Sequence, residues 1–177
     1  MQVLPYGGTF DPEAAHAAER SGLARLALLI ETPYGVMTLV QRGEALSELR
    51  FSGETLMARQ LADTPLLQEA KRQLDAYFAG KLRQFDLPLA PLGTSFQTLI
   101  WQTLTAEVPY GQTITYGELA KRAGNPAASR AVGMANHRNP LPIFIPCHRV
   151  IGAGGKLVGY GGGLPLKQSL LNLEART

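Results

Sequence analysis

The sequence predicts an α/β N-terminal half, made of antiparallel strands plus a helix, followed by a mainly helical C-terminal half with a helix-turn-helix. Three observations carry this expectation. Short β-favouring runs separated by turn signals fill residues 24–51. A proline-punctuated stretch, 86–93, interrupts the chain after a well-marked helix. Beyond it, two Thr-x-x-Gln/Glu capping signals and a Gly-Asn-Pro turn punctuate a series of helices. The 177 residues suit one domain or two small ones, at about 150 residues per domain. We expect an N-terminal extension (1–23), an α/β domain (24–90) and a C-terminal domain (91–177).

Pro5, Gly7, Gly8 and Pro12 break any period in residues 1–23, which read as an irregular arm. Ala24–Ile30, Val36–Val40 and Leu46–Phe51 read as an antiparallel meander, with turns at Thr32-Pro33-Tyr34-Gly35 and Arg42-Gly43-Glu44. Thr64-Pro65 opens a helix with an N-cap hydroxyl and a proline at the first helical position; Gly80 closes it. Leu66, Leu67, Ala70, Leu74, Tyr77 and Phe78 line its inward face. Asp86–Gly93 reads as a linker. Thr94 and Gln97 fit a capping box for a helix whose stripe is Phe96, Leu99, Ile100 and Leu104. Thr115 and Glu118 fit a second box, for a short helix ending at Gly124, and Asn125-Pro126 starts a third helix at once. On that third helix Ala128, Ala131, Val132 and Ala135 share one side, and Arg130, Met134 and His137 the other. Arg130 among such small neighbours as Ala127 and Gly133 suits close approach to a nucleic-acid groove; a solvated arginine on an alanine-rich surface helix fits equally. Pro165 begins a final helix with Leu166, Leu170, Leu171 and Leu173 inward.

Composition excludes several classes of protein. With 45% apolar and 18% charged residues the chain is globular rather than disordered. No stretch reaches the roughly 18 uninterrupted apolar residues of a membrane span, and no signal peptide is evident at the N-terminus. One cysteine forms no internal disulfide, and three scattered histidines with it make no zinc site, so no metal is expected. A soluble, cytoplasmic setting fits. The net charge of +3 hides an asymmetry: residues 1–90 carry nine Lys/Arg against eleven Asp/Glu, whereas 91–177 carry eight against three. A basic half is what a polyanion-binding domain would show, although chance solvated charge gives the same count.

Asn139–Val150 is the informative segment. An apolar run, expected to be extended and buried, delivers the chain to Pro146, and the lone cysteine, Cys147, is followed by His148 and Arg149. A free thiol is only a few per cent thiolate at neutral pH. His148 can accept the thiol proton or, once protonated, stabilise the thiolate. Adjacent side chains of a strand point to opposite faces, so such a contact needs a turn here. The bland alternative is a small buried hydrophobe. Downstream, Gly159-Tyr160-Gly161-Gly162-Gly163 suits a loop whose backbone approaches a planar ligand, or an ordinary flexible loop.

Ile145-Pro146-Cys147-His148-Arg149-Val150, with Arg130-Ala131-Val132-Gly133 and Asn139-Pro140 before it and Gly159-Tyr160 and Leu170-Leu171 after it, resembles the O6-alkylguanine-DNA alkyltransferase (methylated-DNA–protein-cysteine methyltransferase) family. The resemblance is strong over 95–174, weaker over 24–90 and absent over 1–23. It implies a ribonuclease-H-like N-terminal domain and a C-terminal domain with a winged-helix-like helix-turn-helix. The implied activity is direct repair: Cys147 takes the alkyl group from O6-alkylguanine, and by extension O4-alkylthymine, irreversibly and once per molecule. No cofactor is implied. The partner is double-stranded DNA carrying the lesion, bound by a monomer through its minor groove, with cooperative loading left open.

The same resemblance assigns roles position by position. Cys147 matches the nucleophile, His148 the residue that takes the thiol proton through a water, and Glu174 the acid that orients and charges that histidine. Asn139 matches the asparagine tying the helix-turn-helix to the active-site segment. Tyr116 matches the tyrosine that meets the guanine ring, Tyr160 the aromatic beside the alkyl group, and Arg130 the arginine that fills the gap left by a flipped nucleotide. Main-chain groups of Cys147 and Val150 are expected to accept from the guanine amino group, and the Gly161 amide to donate to O6. Ala128, Gly133 and Met134 fall on the DNA-binding helix. Gly161 stands where some relatives have serine, and Met134 where a second glycine is common. Two other readings compete: a helix-turn-helix regulator that senses alkylation, and a cysteine hydrolase using Cys147 and His148, for which the long nucleophile motifs are absent.

Overall fold

The computed structural model describes residues 2–3, 8–51 and 60–176, and these fall into two units, Met1–Leu92 and Gly93–Thr177. In the first unit a mixed sheet runs β1-β2-β7-β5-β4-β3-β6. Its centre is the meander of β3 (Arg25–Thr32), β4 (Gly35–Arg42) and β5 (Ala45–Phe51), all antiparallel, with a register shift between Val40 and Gln41. The outer strands are two-residue pieces: β1 (Gln2–Val3), β2 (Thr9–Phe10), β6 (Gln60–Leu61) and β7 (Pro88–Leu89). Helix α2 (Pro65–Phe78) packs on β3, β4 and β5. The Thr64 hydroxyl accepts from the Leu67 amide at 3.2 Å, as its place before Pro65 predicts. Phe10, Ile30, Leu39, Leu46, Leu67, Leu74 and Tyr77 make the core.

Two expectations for this unit need correction. Within the stretch expected to be irregular, Pro12–Arg20 forms helix α1. Asp11 caps it, accepting from the Ala14 amide at 3.0 Å, with a proline at its start and Ala15 and Ala18 buried. The Asp-Pro-Glu start is the same grammar as Thr64-Pro65 and outweighs the nearby glycines. Leu4–Gly7 lie outside the described residues. The stretch 86–93, expected to be a linker, holds β7, which runs parallel to β2 and β5. The Gln73 carboxamide fastens its approach: Nε2 donates to the Asp86 carbonyl (3.0 Å) and Oε1 accepts from the Asp86 amide (2.9 Å).

The second unit is mainly helical. α3 (Ser95–Glu107) opens on the expected capping box, with both reciprocal bonds made. Its inward face differs from the expected stripe: Thr98, Ile100, Trp101, Thr103 and Leu104 are buried, whereas Leu99 is exposed. Trp101 decides this, because its ring fills the core and its Nε1 donates to the Ala135 carbonyl at 3.0 Å. Strand β8 (Ile114–Thr115) leads into α4 (Tyr116–Arg122). Only half of the second box forms: Thr115 accepts from the Glu118 amide, while the Glu118 carboxylate turns to Arg122 at 3.6 Å. Gly124, at φ +82°, reverses the chain where a side chain would be strained.

The next helix does not start at once. Pro126–Ala128 is a 3₁₀ turn, and α5 spans Ser129–His137. Val132 and Ala135 face inward as expected, but Ala131 is exposed and Asn136 is buried, so the inward face lies further round the helix than the alanines suggest. The expected extended run before the cysteine is instead tightly turned: Ile143 has φ +76°, Pro142 bridges Ile145, and Cys147–Arg149 is a 3₁₀ turn before β9 (Val150–Ile151). β9 pairs parallel with β8. The closing helix α6 (Leu164–Ala175) buries Lys167, Leu170 and Glu174, with Leu166, Leu171 and Leu173 only partly covered. Two charged residues on the inward face mean that α6 is held by polar partners as much as by packing. No helix among the described residues is long and apolar enough to cross a membrane.

Candidate active site

Cys147–Arg149 forms a 3₁₀ turn rather than a continuing strand. It leaves Cys147 7% exposed on a pocket and His148 wholly buried. The pocket has a volume of about 330 Å³, the lower end of ligand-site sizes. Helix α5 contributes Ser129, Arg130, Gly133, Asn136 and His137 to its lining. The glycine loop contributes Val158, Gly159, Tyr160 and Gly161, and Tyr116 and Cys147 complete it. Tyr116 begins α4, and its hydroxyl donates to the Val158 carbonyl at 3.4 Å. The structure therefore gathers Cys147, Tyr116, Tyr160, Gly161, Arg130 and Gly133 around one cavity.

Asn139 ties this site together. Its Nδ2 donates to the Ile145 carbonyl (2.9 Å) and towards Cys147 Sγ (3.1 Å), while its Oδ1 accepts from the Leu141 amide (3.0 Å). The contact to the sulfur was not foreseen from sequence. It favours the thiolate, as does the Lys167 cation, yet burial outweighs both and pushes the Cys147 thiol up to about 11. Burial therefore favours the protonated form of this thiol.

Glu174 sits 26 residues from His148 and accepts its Nε2–H at 2.8 Å. The same carboxylate accepts a two-pronged grip from Arg149, Nε at 2.9 Å and a terminal nitrogen at 3.0 Å, and the Gly111 amide at 3.1 Å. Arg149 also donates to the Val108 carbonyl at 2.8 Å. These cations and donors hold the Glu174 carboxyl far below the usual carboxylate range despite its burial, so it is ionised. Burial pulls His148 down against the opposing pull of Glu174, leaving the ring neutral. A neutral ring that donates through Nε2 carries its basic lone pair on Nδ1.

Arg149 and Lys167 received no role from sequence. The signal for Lys167 was its spacing: residues 167, 170 and 174 fall on one helix face. Its Nζ donates to the Val150 carbonyl (2.6 Å) and the Val158 carbonyl (2.8 Å), linking the cysteine turn to the glycine loop. The Val150 carbonyl, expected to meet a ligand, is therefore already engaged, with one lone pair left. Val150 does not line the pocket, nor do Ala128 and Met134. Met134 stands 53% exposed on α5. Among the described residues no three His, Cys, Asp or Glu side chains gather as a metal-binding group.

Comparison with known proteins meets this geometry from outside. Residues 26–91 match the family model described as the ribonuclease-like domain of 6-O-methylguanine DNA methyltransferase, and residues 95–176 that described as its DNA-binding domain. The chain is 49% identical over 154 residues to a methylated-DNA–protein-cysteine methyltransferase of Methanosarcina acetivorans, covering 82% of this chain and 96% of the relative. It is 47% identical over 148 residues to one from Mycobacterium leprae, covering 82% and 89%. Among solved structures, the Mycobacterium tuberculosis protein OGT in complex with DNA superposes with a TM-score of 0.80 at 46% identity, over 85% of this chain and 93% of that one.

Proposed function

The chain belongs to the 6-O-methylguanine DNA methyltransferase family, and on that premise we propose that it repairs alkylated DNA by moving the alkyl group from guanine O6 onto its own Cys147. The observation that carries this reading is the single cysteine lining a base-sized pocket, with Asn139 at its sulfur and a His148–Glu174 pair beside it in sequence and space. The second unit binds double-stranded DNA as a monomer, and its charge excess supplies sequence-independent attraction to phosphate. The target carbon lies inside the duplex stack, so the nucleotide must be extruded into the pocket. Arg130, exposed on α5 and lining the pocket, fills the gap in this reading.

In the reaction the Cys147 thiol proton passes, through a water, to Nδ1 of His148. Glu174, already ionised, then faces an imidazolium and stabilises it. The sulfur attacks the alkyl carbon in line: a carbon–sulfur bond forms, the carbon–O6 bond breaks, and the electron pair leaves on the guanine. Tyr116 supplies a hydrogen bond or proton to the ring, and the Gly161 amide stabilises charge on O6. The thioether does not reverse, so each molecule acts once.

Intact-mass measurement after incubation with a duplex containing O6-methylguanine tests this. We expect a gain of one methyl group per chain, recovered on the Cys147 peptide. Repeated turnover, or label on another residue, overturns it. The regulator reading is not favoured, since it needs a preferred DNA sequence; equal binding to lesion-free duplexes of different sequence excludes it.

A further inference from the structure

Asn136 stands out inside the pocket. It is buried, at 8% exposed, and lines the cavity, yet neither its Oδ1 nor its Nδ2 meets a hydrogen-bond partner among the described residues. A buried carboxamide left unpaired bears the desolvation of a donor and an acceptor with nothing returned, so an apolar side chain of similar size would suit the fold better. Such an orphan in a ligand cavity is the signature of a group kept for the ligand.

Its place on α5 supports this. A helical side chain leans back over the turn preceding it. For position 136 that turn includes Gly133, which also lines the pocket and has no side chain to cover the cavity. The structural duties of this end of α5 fall to neighbours: the Ala135 carbonyl accepts from Trp101, and Asn139 holds the cysteine turn. Asn136 takes part in neither.

We infer that Asn136 is a specificity-determining residue, its Nδ2 donating to a ring-nitrogen acceptor of the extruded, alkylated base. Alkylation at O6 removes the N1 proton of guanine, so every ring nitrogen of the base except the glycosidic one becomes an acceptor, and an amide N–H group is the complementary partner. This inference rests on the repair reading given above and names a contact within the same site.

The test uses the full chain and the free base O6-benzylguanine, so that no change in DNA contacts by α5 enters the result. Methyl iodide, which has no base to recognise, reports the intrinsic reactivity of Cys147. For Asn136→Leu we expect the ratio of the benzylguanine rate to the methyl iodide rate to fall about tenfold or more, as for loss of a buried hydrogen-bond partner. The melting temperature should hold or rise. Asn136→Asp, nearly isosteric but without a donor, should lose the ratio as well. If the leucine variant does not fold, Asn136→Met, unbranched and adaptable, replaces it in the same comparison. A ratio within twofold of the parent overturns the inference, as does a parallel fall in both rates or a parent-like ratio in the aspartate variant. Failure of the parent protein to take one methyl group from methylated duplex would strike the repair reading itself. Normal transfer by the parent with unaffected variants strikes only the role of Asn136.

Discussion

Glu69 in the first unit and Glu174 in the second are both gripped by an arginine, and both are more acidic than an ordinary carboxylate. Glu69 accepts from Arg72, three residues on along α2, at 2.7 and 2.6 Å and is held at about 2. The Arg72 side chain is 68% exposed and that of Glu69 40%, the latter also accepting from Gln73 at 2.8 Å. Glu174 accepts from Arg149, 25 residues away in sequence, and from His148, with its own side chain 1% exposed. The same fork of hydrogen bonds does different work in the two places. On α2 it decorates a helix already held by Leu67, Ala70, Leu74 and Tyr77. In the second unit it joins α6, the cysteine turn and the loop before β8, and its charge would be costly if left alone. Where a carboxylate is gripped matters more than how well.

Removal of the sulfur tests the reactive side of that contrast most severely. Cys147→Ser should abolish alkyl transfer from labelled duplex while lesion binding persists in a gel-shift assay; residual transfer would move the acceptor elsewhere. The charged cluster comes next. Glu174→Gln leaves the buried Arg149 without its counter-ion, which should cost about 3–5 kcal/mol in urea denaturation, and should lower the transfer rate of whatever folds by about a hundredfold. Glu69→Gln, its counterpart on the first unit, should leave the denaturation midpoint where it was, since exposed pairs contribute little. Equal losses for the two substitutions would erase the distinction between the units.

Legibility from sequence divides along the same line. Local grammar was readable: the Thr64 and Thr94 caps and the Gly124 reversal each depend on neighbours within four residues. The pocket members Tyr116, Arg130, Tyr160 and Gly161 followed from resemblance. What was missed depends on partners distant in the chain. Lys167 reads as one more surface lysine until Val150 and Val158 present their carbonyls. Asn136 follows no local signal, and its burial shows only once α5 packs with Ala135 accepting from Trp101. The burial of Cys147 overrides the neighbours that sequence alone suggested would keep it ionisable.

A smaller effect separates positions on α5 that share the pocket. Arg130→Ala should slow repair in duplex by about tenfold or more, because nucleotide extrusion loses its stand-in. Its rate with free O6-benzylguanine, which needs no extrusion, should change by less than about twofold. The stopped reaction is quantified on both substrates at matched concentration. Equal losses would show that Arg130 serves the thiol or the base rather than the gap in the helix.

The least conspicuous expectation concerns alkaline pH, where burial of the thiol becomes a property of the whole unit. In the folded chain Cys147 keeps its proton up to about 11, while an unfolded cysteine releases it about two units lower. Below that lower value both states hold the proton and pH has no effect through this group. Between the two values the unfolded state binds fewer protons, so stability falls as pH rises, by up to about 3 kcal/mol at the upper end. Burial also raises Tyr116 and Tyr160 and lowers Lys167, so these groups add their own alkaline pH dependence. The contribution of the sulfur is therefore the difference between the parent and Cys147→Ser, each unfolded in urea at about pH 8 and about pH 10.5. The parent should lose more stability than the serine variant over that interval. Parallel losses would mean that folding leaves the thiol's hold on its proton unchanged, and a smaller loss in the parent that the folded site already holds a thiolate in no need of His148.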